Sequence, residues 1–214
     1  QSIFYEMFGD PVTNPKNWKK QSIKSVTELI QTGFAYGSFN KISGVPHLRP
    51  FNIENGDINL KEIKFIPKDI SKIDKYFLQD FDVLINTTNS EELVGKTALF
   101  KEKLRCVFSN HLTRIKLNKE KVSPIYFWAV LNFYYKYGIF KSLLKRWVNQ
   151  VGMNLEKFEE LELPVPPILL QNKFASIVEK MELLKENQKQ STDEINHLFE
   201  ALMQKAFKGE LVVS

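Results

Sequence analysis

One cysteine, Cys106, stands in the 214 residues, so the chain makes no internal disulfide and no zinc site built on cysteines. Histidine is nearly as scarce: His47, His111 and His197 lack the spacing of metal ligands. No apolar run approaches the roughly 20 residues that span a bilayer. No signal peptide opens the chain, so these readings place it in the cytoplasm. It begins with Gln1 rather than Met, as a processed chain or a fragment would.

Catalytic signatures are missing too. LVGKT (93–97) resembles the close of a phosphate-binding loop, but Ser90 stands where the loop's first glycine belongs. PVPP (164–167) is not the Asn/Asp-Pro-Pro-aromatic segment that grips an amino group for methyl transfer. There is no glycine-rich dinucleotide fingerprint, and no local Ser/His/Asp or Cys/His signature. No motif marks a site that runs a reaction, and an enzyme acting alone on DNA is the reading least supported.

Aromatic residues are plentiful, with 17 Phe and 7 Tyr, and 43% of the chain is hydrophobic. That composition excludes disorder and supplies one globular core with an appendage. The net charge of +5 is unevenly spread. Residues 1–170 carry 24 Lys+Arg against 18 Asp+Glu, whereas residues 171–214 carry 6 Lys against 7 acids. The positive excess sits in the globular part, as in a domain that binds a polyanion.

The last stretch organises the rest. Pro166-Pro167 opens a predicted helix running to Lys208, with Gly209 as its stop. At 1.5 Å per residue it is a rod of roughly 60 Å. Phe174, Ile177, Met181, Leu184, Ile195, Leu198 and Leu202 recur along it at coiled-coil spacing, with Gln188 and Ser191 on the same seam. A rod of that length exceeds a domain of this size, so the seam calls for a partner; packing on its own domain is the competing reading.

Upstream, residues 1–9 read as the end of another helix stopped by Gly9, and they resemble FEALMQKAFKGE near the C-terminus. Ser22 caps a predicted helix over 22–30, with Ile23, Val26 and Ile30 inward. A turn is expected at Asn55-Gly56-Asp57, and a short helix capped by Asp69 reaching Tyr76. Strands are predicted at 82–88, at KTALFK, at RCVFS, at 113–117 and at 161–165. Helices are predicted from Ser123-Pro124, over 139–147 and after Asn154. Strands and short helices interleave without βαβ regularity, which makes the fold α+β. The expected organisation is a helical segment over 1–9, a compact domain over 10–166, the long helix over 167–208 and a tail over 209–214.

Two stretches are strongly basic. Residues 96–116 carry Lys96, Lys101, Lys103, Arg105, Arg114 and Lys116 against Glu102 alone, and residues 136–150 carry Lys136, Lys141, Lys145 and Arg146 with no acid. Positive charge binds phosphates whatever the sequence. Reading bases needs amide and guanidinium groups: Asn or Gln on adenine, Arg on guanine. Polar loops supply them: Gln31, Thr32 and Tyr36; His47 and Arg49; Asn86, Thr87, Thr88 and Asn89; Asn110 and His111; Asn149 and Gln150. Taken singly, each also fits an ordinary solvated turn; the clustering is what points to binding.

These stretches carry a family resemblance. FYEMFGDPVTNPKNW (4–18) resembles a junction between a helix and a target-recognition domain in the DNA-specificity subunits of type I restriction–modification systems. GVPHLRPFNIENGDIN (44–59) and FDVLINTTNSEELVGKTALF (81–100) are similar to two further segments of that family. NLEKFEELELPVPPILLQNKFASIVEKM (154–181) and FEALMQKAFKGEL (199–211) resemble its entry into the spacer helix and that helix's end, and they are the most specific in combination. Glu91-Glu92 depart from a usually Gly-containing loop, and Leu170-Gln171 from a usual Glu-Gln.

The resemblance covers nearly all of the chain and implies one half of such a subunit. It implies a non-catalytic reader of one half of a split double-stranded DNA target, with the helix as ruler and docking surface. No cofactor is expected in the chain itself. Methyltransferase subunits would bring S-adenosylmethionine and methylate adenine N6, and a motor–nuclease subunit would bring ATP and Mg2+. Two copies are expected to pair through antiparallel rods, with Gln188 and Ser191 near the dyad. At about 34 Å per DNA turn, such a rod holds half-sites no more than about two turns apart. The competing reading is a scaffold protein whose helix binds a partner without sequence-specific DNA reading.

Overall fold

The computed structural model describes residues 2–39, 43–146 and 150–208. It divides into two compact units, Gln1–Phe174 and Ala175–Ser214. The architecture is mixed α+β with a long C-terminal helix, as the interleaved pattern predicts.

Helix α1 (Ser2–Phe8) buries Phe4 and Phe8 and stops at Gly9, whose φ of +76° favours a residue without Cβ. Strand β1 (Lys20–Ser22) leads into a single turn, α2 (Ile23–Val26), where the Ser22 hydroxyl accepts from the Ser25 amide as a cap should. The predicted helix over 22–30 ends there. Residues 27–32 form strand β2 (Thr27–Thr32) instead, because pairing along a neighbouring strand outweighs a weak helical spacing among Thr27, Ile30 and Thr32, which favour strands.

Strand β3 (Val45–Leu48) precedes a hairpin of β4 (Ile53–Glu54) and β5 (Asp57–Ile58). Asn55 and Gly56 sit at φ 52° and 92°, the two-residue loop that Asn-Gly favours. After β6 (Lys64–Ile66) comes a 3-10 turn, Ile73–Tyr76. The expected Asp69 cap is not made: the turn starts after Lys72, which adopts φ 59° and gives no side-chain cap.

Strands β7 (Val83–Asn86), β8 (Thr88–Asn89), β9 (Thr97–Leu99), β10 (Val107–Phe108) and β11 (Leu112–Leu117) follow. Helix α3 (Pro124–Lys136) starts after Ser123, with Pro124 in its first turn. The predicted helix over 139–147 is a 3-10 turn, Ile139–Leu143, and then strand β12 (Leu144–Arg146), because Leu144 to Arg146 pair with β13 (Val151–Met153). Asn154 caps α4 (Leu155–Glu160), its Oδ1 accepting from the Glu156 and Lys157 amides. Strand β14 (Glu162–Pro164) pairs with β1, and helix α5 runs from Ile168 to Phe207.

The central sheet is antiparallel, in the order β2-β11-β7-β9. Two three-stranded sheets flank it, β10-β3-β6 and β12-β13-β8. Leu84, Ala98 and Leu112 of the central sheet share a core with Leu48, Phe100 and Phe108. Helix α3 is buried on most of its surface, and the hydroxyls of Tyr126 and Tyr134 donate to the Pro164 and Glu162 carbonyls.

The first turns of α5 belong to this unit. Gln171 is fully buried; its Oε1 accepts from the Ser123 amide and its Nε2 donates to the Pro166 carbonyl. Phe174 lies 5.6 Å from Phe4 and 5.4 Å from Phe8, in an aromatic cluster with Tyr126 and Phe133. This corrects the expected seam: Phe174 is core, closed off by its own domain. From Ala175 onward the second unit is helix, and Met181, Leu184, Ile195, Leu198 and Leu202 of the seam are exposed. Ile177 is half-buried, whereas Gln188 and Ser191 are exposed. Leu183, Phe199, Met203 and Phe207 add further exposed apolar surface that the seam spacing did not single out. No helix among the described residues is long and apolar enough to cross a membrane.

Candidate nucleic-acid interface

The antiparallel register of the central sheet gathers six of the candidate residues at one end. Thr32 pairs with Thr113, Leu112 with Asn86, and Ile85 with Thr97. Thr32, Asn110, His111, Asn86, Thr87 and Lys96 therefore come to one rim, from four separate stretches of chain. Gln31 and Thr32 end a strand rather than sit in a loop.

Hydroxyl groups tie this rim together. The Thr113 hydroxyl lies 3.3 Å from that of Thr32 and 3.0 Å from that of Thr87. The Thr87 amide donates to the His111 carbonyl, and His111 Nδ1 lies 3.0 Å from the Thr88 carbonyl oxygen.

Thr88 extends the rim onto the second sheet. In β12-β13-β8, Lys145 and Thr88 both pair with Gly152, and Arg146 and Asn89 both pair with Val151. Lys145 and Arg146 are exposed; Arg146 Nη2 meets Glu91 Oε2 at 2.6 Å. An exposed pair of this kind is worth about 0–1 kcal/mol, so a phosphate can compete for the guanidinium. Gln150 is exposed just before β13, while Asn149 lies outside the described residues.

On the other side of His111, a cleft of about 350 Å³ opens among Tyr36, His47, Arg49, Ser109, Asn110 and His111. Parallel pairing of β3 with β10 brings His47 and Ser109 there from positions far apart in sequence: His47 is opposite Val107, and the Ser109 amide donates to the Leu48 carbonyl. The Arg49 guanidinium sits 4.8 Å from the centre of the Phe39 ring. His47 is buried, and burial pushes its pKa down to about 4, with the Arg49 charge adding and the Phe34 backbone opposing. It is neutral at pH 7.

Three candidates are drawn inward. Arg114 is buried: its guanidinium donates to the Phe77 and Lys75 carbonyls, to Gln31 Oε1 and, at 3.4 Å, to Asp82 Oδ2. It holds the rim instead of reaching from it. The basic stretch 96–116 offered Arg114 as a phosphate- or base-binding group, but the sheet is covered on both faces there, and the Phe77 and Lys75 carbonyls supply the acceptors that a buried guanidinium requires. Asn86 and Thr87 are buried as well; Asn86 Nδ2 donates to the Leu93 carbonyl. Sequence reasoning missed Ser109 and Asp82. Ser109 adjoins Asn110-His111, which was the available signal, but Asp82 meets Arg114 across 32 residues and nothing local announces it. Burial raises the Asp82 carboxyl above its ordinary range, against the pull of the Gln79 amide, Arg114 and Lys116.

Among known families, the one described as "Type I restriction modification DNA specificity domain" matches residues 15–197. The chain belongs to this family. Over 196 residues it is 28% identical to a putative type I restriction enzyme specificity subunit, MjaX, of Methanocaldococcus jannaschii, covering 90% of this chain and 46% of that one. It is 23% identical to the EcoKI specificity subunit of Escherichia coli K12, covering 91% and 43%. The chain thus spans about half the length of the curated relatives it matches.

Solved structures agree on the fold. The HsdS subunit from Thermoanaerobacter tengcongensis matches 98% of this chain and 50% of its own at a TM-score of 0.52 and 17% identity. A chain from a type I R-M system described for its complex assembly and conformational transition matches 98% and 51% at 0.58 and 19% identity. Cys106 is buried, and burial pushes its thiol up to about 12, with the Glu102 charge adding. No group of three or more His, Cys, Asp or Glu able to hold a metal ion occurs among the described residues.

Proposed function

We propose that the recognition domain over 10–166 reads one half of a split double-stranded DNA site through the rim formed by Thr32, Lys96, Asn110 and His111, continued by Thr88, Asn89, Lys145 and Arg146 and flanked by Tyr36 and Arg49. The observation that carries this reading is the convergence of these side chains from separate stretches of chain, in a member of a DNA-specificity family. Lys96, Lys145 and Arg146 meet phosphates and set register, whereas Asn89, Asn110 and His111 face base edges. Gln31 acts with them, its amide oxygen fixed by Arg114 so that its NH2 is the group left to donate.

The chain has no catalytic role of its own in this reading. Methyltransferase subunits carrying S-adenosylmethionine modify the site, and a restriction subunit using ATP and Mg2+ moves and cuts DNA, in the cytoplasm. Helix α5 is the ruler and docking surface: Met181, Leu184, Ile195, Leu198 and Leu202, exposed here, pack against a second copy with Gln188 and Ser191 near the dyad.

Selection from a pool of random duplexes tests the reading function. One enriched half-site, bound far better than scrambled duplex at the same salt, is the expected result. Binding that falls with salt alone and prefers no duplex would leave a scaffold role in its place.

A further inference from the structure

Three polar atoms of residues lining the cleft make no well-formed hydrogen bond among the described residues: both ring nitrogens of His47, on which the Phe34 backbone acts only outside that geometry, and Ser109 Oγ. The two side chains are 1% and 2% exposed. A buried polar group left unpaired costs about 1–3 kcal/mol, and three such atoms on neighbouring segments mark a place built to hold something.

Their chemistry limits the occupant. A neutral imidazole offers one donor and one acceptor, and a serine hydroxyl offers both. Phosphate oxygens only accept, so a phosphate leaves the acceptor nitrogen of His47 unmatched. A nucleobase edge presents donors and acceptors side by side. The surroundings are aromatic: the Phe34 and Phe39 rings lie 5.3 and 5.6 Å from the imidazole. The site is also concave, and a base stacked inside a duplex does not reach a concave site.

We propose that this cleft takes up one nucleobase unstacked from the DNA duplex, its hydrogen-bonding edge held by His47 and Ser109. The inference rests on the DNA-reading function above and adds a reading mode to it. Arg49 meets the phosphate of the same nucleotide. Residues 35–37, which line the cleft outside any helix or strand, shift to admit the base to the buried nitrogens.

The test uses this chain with its methyltransferase, bound to duplexes carrying the selected site. 2-Aminopurine, which brightens when unstacked, replaces bases one position at a time, leaving out the adenine that is methylated. One position is expected to brighten severalfold on binding. His47→Phe and, as the milder change, Ser109→Ala abolish that rise while the site is still bound in preference to scrambled duplex. Site-specific binding with no brightened position overturns the inference and leaves the reading function intact, the orphan atoms then holding water. Brightening that survives both substitutions also overturns it. Absence of any sequence preference overturns the reading function and this inference with it.

Discussion

Arg114 is a strand residue whose place in a basic stretch made it a DNA-binding candidate, and its burial shows what the rim depends on. Its guanidinium binds four acceptors from three segments of chain, one of them the Gln31 amide. Arg114→Ala leaves Asp82 buried without its cation and is expected to cost about 3–5 kcal/mol in urea unfolding. Gln171→Ala strands the Ser123 amide and is expected to cost about 1–3 kcal/mol in the same measurement. His47 gives a pH signature. Its folded pKa of about 4 lies below the ordinary 6.5, so the unfolded state binds more protons between those values. Stability is then full above pH 6.5 and falls as pH drops toward 4, by roughly 3 kcal/mol from this group. His47→Phe is expected to flatten that part of the stability–pH curve relative to the parent chain. What the sequence made legible at this scale was local chemistry: the Ser22 and Asn154 caps and the Asn55-Gly56 turn need only their neighbours. The Arg114–Asp82 pair and the meeting of His47 with Ser109 depend on strand register, which no short window contains.

Elements were legible where the signal was long. The bounds of α5 were read within a residue or two, from its opening prolines and the glycine after it, and α3 from its serine and proline. Short elements were misread where tertiary pairing decided them. Residues 27–30 and 144–146 have spacings that suit a helix, yet each is held as a strand by a neighbour. Along α5, apolar spacing alone did not show where core ends and free surface begins. Phe174 is 5% exposed, whereas Leu198 is 62% exposed. The two positions therefore respond differently to substitution. Phe174→Ala is expected to cost about 3–5 kcal/mol of stability, by differential scanning calorimetry or urea unfolding. Leu198→Lys is expected to leave that stability unchanged and to convert a dimer to a monomer in sedimentation velocity. A parent chain that is already monomeric at micromolar concentration would contradict pairing through this face.

The whole molecule separates two tasks. The recognition unit carries the basic excess, and the helix beyond it is near-neutral with an exposed apolar face. In the function proposed here, phosphate attraction supplies affinity that salt weakens, the rim and cleft supply preference among sequences, and the helix sets the spacing between two readers. The function class was legible in the sequence because its strongest markers lie at the junctions between domain and helix, where packing restricts residue choice. The residues proposed to face bases were less legible, because any polar turn offers the same side chains.

The most direct measurement is co-expression of this chain with its methyltransferase, followed by genome-wide mapping of N6-methyladenine. The account predicts new methylation at one palindromic split motif with a fixed gap of no more than about two DNA turns. An asymmetric split motif would contradict symmetric pairing of two copies, and methylation without any shared motif, from an active methyltransferase, would contradict sequence reading itself.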